Sequence, residues 1–198
     1  MSMIREAIVS TVDSAGTVHL APFGLLQEGG GWIIAPFRPS TTLDNLQNRP
    51  FAIANYTDDV RIFAGCLTGR RDWPLTPVDD FPVPRLANIL SHAELTVTTI
   101  AESAERPRFH CEVRRLVQHA PFEGFNRAKA AVVELAILVS RLHILPREKV
   151  EAEIAYFRIA IDKTAGPEER EAWGWLMEKI DDVYSEPIPV RRTQFGST

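Results

Sequence analysis

Cysteine is scarce in this 198-residue chain: Cys66 and Cys111 are the only two, and they show no C-x-x-C spacing. That excludes a disulfide framework and a cysteine zinc site, and it predicts a reducing, cytoplasmic setting with two buried thiols. Long apolar runs are missing too. The longest, Ala130 to Val139, is about half of what a membrane helix needs and contains Glu134. No membrane partner is therefore expected. There is no excess of positive charge: the formal net charge is -4, and Arg70-Arg71, Arg114-Arg115 and Arg191-Arg192 are scattered among acids. Nucleic acid is excluded as the main partner. The first residues, MSMIREAIVS, carry an acid and alternate as a strand does, unlike a signal or transit peptide. His19, His92, His110, His119 and His143 lack metal-ligand spacing, so no metal is expected. No G-x-S-x-G elbow, Walker loop, G-x-G-x-x-G turn or H-E-x-x-H helix occurs, and the catalytic residues stay unknown.

What is present belongs to an ordinary folded protein, with 45% hydrophobic and 24% charged residues. Ile4 to Val12 reads as a strand, Asp13 to Gly16 as a turn, and Thr17 to Leu26 as a returning strand. The second strand is interrupted by Ala21-Pro22-Phe23-Gly24, where proline marks an edge, a bulge or a place the backbone leaves unpaired. Further strands are expected at Trp32 to Ala35, Phe51 to Tyr56, Glu94 to Ala101 and Arg108 to His119, with a short helix from Val60 to about Leu67. Trp73 to Pro84 holds four prolines without periodicity and reads as a stiff extended loop. It is either a surface connector or a lid or dimer clasp that brings Trp73 and Phe81 over a ligand. One or two helical turns are expected over Pro84 to Ser91. From Phe125 the period becomes helical: Phe125 to Leu145, a stripe of Val150, Ile154, Phe157 and Ile161, and a stripe of Trp173, Leu176, Met177, Ile180 and Tyr184. The fold class expected is thus α+β, an antiparallel sheet region at 1–122, a three-helix subdomain at 123–185, and a tail at 186–198 that is loose or pairs with a neighbour.

The chain is organised around one stretch, Ile33 to Tyr56, in which a strand hands over to a short helix through Arg38, Pro39, Ser40, Thr41 and Thr42. A guanidinium, three hydroxyls and the free amides of a helix start suit a phosphate. The competing reading is a plain helix cap, for which one side-chain oxygen suffices. Leu43 and Leu46, three apart, would face the sheet. Asn55 sits in an apolar strand and wants a partner, either backbone or ligand. His19, just before Ala21-Pro22, lies beside the ligand or on a solvated or dimer face. His110 and Cys111, adjacent on one strand, face opposite sides.

These residues, in this order, resemble the FMN-binding split-barrel superfamily, its flavin-reductase-like members in particular. The matching motifs are His19-Leu20-Ala21-Pro22-Phe23, Pro39-Ser40-Thr41-Thr42 and Phe51-Ala52-Ile53-Ala54-Asn55. The likeness is closest to a branch of domains of unknown function that append a helical C-terminal segment to the barrel. The resemblance implies FMN as cofactor, with Arg38, Pro39, Ser40, Thr41 and Thr42 at the phosphate. His19, Ala21, Pro22, Phe23, Gly24 and Asn55 would lie beside the ribityl chain or ring, and a homodimer would complete the site. The function it implies is a flavin-dependent oxidoreductase of unknown substrate. The alternative is a non-catalytic flavin or pterin carrier whose helical segment docks a partner.

Overall fold

The computed structural model describes residues 3–185, so the tail expected at 186–198 lies outside the described residues. Thirteen elements follow in order: β1 (Ile4–Val12), β2 (Val18–Glu28), β3 (Gly31–Ile34), α1 (Thr41–Asn48), β4 (Phe51–Tyr56), α2 (Val60–Leu67), β5 (Leu75–Val78), β6 (Phe81–Leu86), β7 (Ser91–Ala101), β8 (Arg108–Gln118), α3 (Arg127–Val139), α4 (Arg147–Thr164) and α5 (Pro167–Ser185). Six strands close an antiparallel barrel in the order β1-β2-β3-β8-β7-β4, and β5 and β6 form a separate two-stranded ribbon. The fold is the expected α+β, a barrel followed by helices.

Strand alternation divides β1 between two cores. Ala7 and Val9 point into the barrel with Leu25, Ile34, Ala52, Ala54, Leu95, Phe109 and Cys111. Ile8 points outward into a second cluster, formed with α2, α3, α4 and α5. The terminal helices therefore share their core with α2 and with the barrel wall. Leu43 and Leu46 of α1 enter the barrel core, each contributing about 2 kcal/mol by burial, so α1 plugs the barrel. At the β3–β8 seam a Cβ on Gly31 would stand 2.2 Å from the Cys111 carbonyl oxygen. Only glycine permits that approach.

β2 is not interrupted: Pro22 pairs opposite Ile8 in an unbroken register from Ile4–Leu26 to Val12–Val18. Its other neighbour, β3, pairs only with Leu26 to Glu28. At Pro22 the far side of β2 is open, and the missing amide costs no ladder bond.

Trp73 to Pro84 differs from the expected loop because β5 and β6 are a hairpin. The register shifts between Thr76 and Val78, which leaves Pro77 in a bulge, and Pro82 and Pro84 alternate with buried Phe81 and Val83. Prolines are tolerated because this ribbon has two free edges. Its turn places Asp80 at φ 58°, a left-handed conformation that Asp accepts more readily than most residues. Val78, Phe81 and Val83 pack on Val12 and Ile53 of the barrel wall. Phe81 meets Phe51 edge to face at 5.6 Å, and Trp73 lies against α2, its Nε1 donating to the Arg70 carbonyl at 3.1 Å. Neither aromatic covers a ligand-sized space. Pro84 to Ser91 is not helical either: β6 runs to Leu86, and bends lead into β7, pinned by Leu90 N donating to Tyr56 O at 3.0 Å.

α3 is shorter than the expected Phe125 to Leu145. Asn126 starts it by accepting from Ala128 N at 2.8 Å and Lys129 N at 3.3 Å, and the chain after Val139 passes into turns. Among the described residues no helix is long and apolar enough to cross a membrane.

Candidate functional site

The turn between β3 and α1 is built from both ends of the chain stretch that flanks it. Ser40 is the N-cap of α1, its Oγ accepting from Leu43 N at 3.4 Å. Thr41 is exposed and Thr42 is buried. In any helix the amides of the first turn have no partner within the helix, and the dipole makes that end attractive to an anion. Arg38, joined to Pro39 by a cis peptide bond, reaches across to the loop between β7 and β8. Its Nη2 donates to Glu102 Oε2 at 2.7 Å and its Nε to the Ser103 carbonyl at 3.3 Å. Its backbone amide donates to Glu105 O at 2.9 Å.

The same loop brings a residue that sequence reasoning missed. Arg106 donates through Nε and Nη2 to the Ala35 carbonyl at 3.2 and 2.9 Å, and its guanidinium lies 4.3 Å from the centre of the exposed Phe37 ring. Two arginines and one exposed aromatic thus flank the start of α1. Arg106 and Arg38 are 68 positions apart, and no local pattern links them. The only sequence signal was a basic residue between two turn-like segments.

The second group of expected site residues lies on β2. His19, Ala21, Pro22 and Phe23 are half-buried. Phe23 packs on the barrel core that holds Leu43 and Leu46. His19 pairs with Thr11, whose Oγ1 accepts from Asn45 Nδ2 of α1 at 2.9 Å. So α1 is the shared neighbour: its first turn carries the hydroxyls and its body touches the strand pair that carries His19 to Phe23. Burial, with Arg71 nearby adding a smaller effect, holds the His19 imidazole below its ordinary range, which keeps it neutral at pH 7.

Asn55 is placed differently. It is fully buried on the outer face of β4, under β6. Its Nδ2 donates to Ile8 O at 2.9 Å and Ser10 Oγ at 2.8 Å, and its Oδ1 accepts from Leu86 N at 2.8 Å. The amide is used up in tying the β5–β6 hairpin to the barrel, which answers the choice between protein and ligand in favour of protein. His110 and Cys111 do face opposite sides, one 2.9 Å from Glu28 and the other inside the barrel. Burial pushes Cys66 up to about 11 and Cys111 up to about 12, so both are free, unreactive thiols at neutral pH. Two concavities lie away from the turn. One of about 460 Å³ is lined by Gly30, Gly31, Trp32 and His110, and one of about 400 Å³ lies between the end of α2 and α5. The Arg38 turn is on the surface, with Phe37 and Glu102 beside it exposed.

A closed six-stranded barrel with a plugging helix, an Arg-Ser-Thr-Thr turn at its rim and helices on its outer wall is a split-barrel protein with a helical appendix. This chain belongs to the family described as protein of unknown function DUF447, matching its N-terminal domain over residues 5–120 and its second part over residues 126–178. No curated protein matches the chain. Among solved structures, an FMN-bound member of the same family from Methanosarcina mazei superposes with a TM-score of 0.77 at 18% identity, covering 90% of this chain and 96% of that one. The 2-nitrobenzoate 2-nitroreductase of Pseudomonas fluorescens gives a TM-score of 0.51 at 22% identity over 60% of this chain and 66% of that one. A nitrilotriacetate monooxygenase component B homologue from Mycobacterium thermoresistibile gives 0.51 at 14% identity over 62% and 72%.

Proposed function

We propose that this protein binds FMN with the phosphate at the Arg38–Thr42 turn, and acts as a flavin-dependent oxidoreductase of unidentified substrate. The observation that carries this reading is the full-length likeness to the FMN-bound family member, joined to a turn whose donor set suits a phosphate. Arg38 supplies a guanidinium, Ser40, Thr41 and Thr42 supply hydroxyls, and the first amides of α1 supply N–H donors. Pro39 fixes the path between them. Arg106 adds a second cation, and Glu102 is exposed enough to give up Arg38 to an incoming phosphate at small cost.

FMN, when bound, supplies electron-transfer chemistry that no side chain here has. The chain's own residues bind and orient it: His19, Ala21, Pro22 and Phe23 offer a half-buried, largely apolar wall with one uncharged imidazole. An exposed turn suits a site that a second copy completes, and the unit proposed is a homodimer. A second reading is a non-catalytic flavin or pterin carrier whose helical segment docks a partner.

The test is an absorbance spectrum and ligand mass on purified full-length protein, followed by titration with FMN and with riboflavin. The expected result is a flavin spectrum and a clear preference for FMN. Protein that neither retains nor binds FMN overturns the reading. Holo-protein that NADH and NADPH fail to reduce selects the carrier.

A further inference from the structure

Beneath the β5–β6 hairpin lies a cluster of titratable side chains that the flavin reading does not use. His92 and Glu94 of β7 are 3% and 0% exposed, a degree of burial that charged and polar residues reach only with partners. Glu94 Oε1 accepts from Arg115 Nε at 2.6 Å, while its Oε2 has no hydrogen-bond partner and stands 4.0 Å from Arg114 Nη1. His92 Nε2 stands 3.7 Å from Glu94 Oε1 and has no hydrogen-bond partner either. The other ring nitrogen, Nδ1, lies 2.8 Å from Nε2 of His119, an exposed residue just past β8, so the two imidazoles share one proton. A line of titratable atoms runs from solvent to a fully buried carboxylate.

That carboxylate also anchors the hairpin. Arg115 Nη2 donates to the Asp79 carbonyl at 2.9 Å, and Arg114 Nη1 donates to the Asp80 carbonyl. Both carbonyls of the hairpin turn are thus held by arginines of β8, one of them fixed by Glu94. From β6, Arg85 lies near enough to repel a charge on either histidine. The hairpin's only acids are Asp79 and Asp80. From β4, the residues opposite His92 and Glu94 are the neutral Asn55 and Ile53.

We propose that His119, His92 and Glu94 form a pH-sensitive latch, which holds the β5–β6 hairpin on the barrel at neutral pH and loosens it when the two imidazoles take up protons. Each added proton places positive charge among Arg85, Arg114 and Arg115, with Glu94 as the one buried acid to offset it. When both imidazoles are charged, Nδ1 of His92 and Nε2 of His119 are both donors at 2.8 Å, and the hydrogen bond between them is lost. The hairpin is the element that yields, because a lone two-stranded ribbon is marginally stable once its packing is loosened.

The direction of titration agrees with the geometry. Burial, then the neighbouring His119, hold His92 below the ordinary imidazole range, with Glu94 opposing in part and Arg85 adding to the depression. Burial and then Arg85 lower His119. A histidine whose folded pKa lies below its unfolded value of about 6.5 contributes stability that is present above that value and lost as pH falls toward the folded pKa. The latch therefore weakens below about pH 6.5.

The test is hydrogen exchange on the full-length protein at several pH values from about 7.5 down to about 5, corrected for intrinsic exchange, comparing the hairpin amides (75–86) with those of α3, α4 and α5. Hairpin protection is expected to fall severalfold more than helix protection, and the excess is expected to vanish in the His92→Gln/His119→Gln double variant. Equal loss in both regions, or an unchanged excess in the double variant, overturns the latch. Should the double variant not fold at pH 7.5, the exposed His119→Gln alone must shift the midpoint, and an unshifted midpoint overturns it equally. The outcome is independent of flavin binding.

Discussion

Two arginine–glutamate pairs tie β7 and the segment that follows it to the rest of the molecule, and they differ in almost nothing but burial. Arg38 meets Glu102 at 2.7 Å and Arg115 meets Glu94 at 2.6 Å. Glu102 is 66% exposed and Glu94 is 0% exposed. An exposed pair is worth about 0 to 1 kcal/mol and exchanges readily with water or another anion. A buried carboxylate that loses its partner has no water to fall back on, and breaking such a pair costs about 3 to 5 kcal/mol. The same two residue types therefore make a replaceable contact at the barrel rim and a fixed anchor under the hairpin. In the function proposed, the rim is where a ligand phosphate enters, and in the latch proposed, the anchor is where only a proton does.

The largest effect that separates them is expected from Arg115→Ala, which leaves the buried Glu94 without a hydrogen bond, its nearest charge partner being Arg114 at 4.0 Å. Chemical denaturation should show a loss of about 3 kcal/mol, largely restored by adding Glu94→Leu. A loss below about 1 kcal/mol would put Arg115 in the class of the rim pair. Next in size is the joint change Arg38→Ala and Thr41→Ala. FMN affinity is expected to fall about 10- to 100-fold, as the loss of charge-assisted hydrogen bonds implies, while the melting temperature of the ligand-free protein stays unchanged. Undiminished affinity would remove the phosphate from this turn and return Ser40 to the role of a helix cap. The smallest effect belongs to Glu102→Gln, which releases Arg38 without disturbing the fold. Titration should show FMN binding tightened by less than about fivefold, with riboflavin binding unaffected. Weakened FMN binding would mean that Glu102 positions Arg38 for the ligand instead of competing with it.

Much of this molecule was legible from local pattern. β1, β2 and β4 fell within one or two residues of where alternation puts them, because their inner faces fill a single barrel and a one-residue slip would expose every one of those side chains. Cap chemistry put the start of α1 at Ser40 or Thr41, between which the structure chooses Ser40, and helical spacing gave the inward aim of Leu43 and Leu46. The β5–β6 hairpin was not legible. Its prolines suppress any strand signal, and what makes it a strand pair is the apolar wall of Val12 and Ile53, which no window around Pro77 contains. The site divided in the same way. Arg38 to Thr42 could be read as a phosphate turn because its donors are contiguous. Arg106 could not, since it arrives from 68 residues away on the β7–β8 loop. Asn55 showed that a buried amide is satisfied, but only the position of Leu86 decided by what.

The sequence by itself determined the class of fold, the place of the plugging helix and a donor cluster suited to a phosphate, because those depend on spacing within a few residues. Tertiary structure alone decided which charged residues became neighbours and which of them lost contact with water. Identical Arg–Glu chemistry acquired opposite roles at the rim and beneath the hairpin because desolvation, which sets the cost of leaving a charge alone, is a property of the packed chain and not of any residue in it.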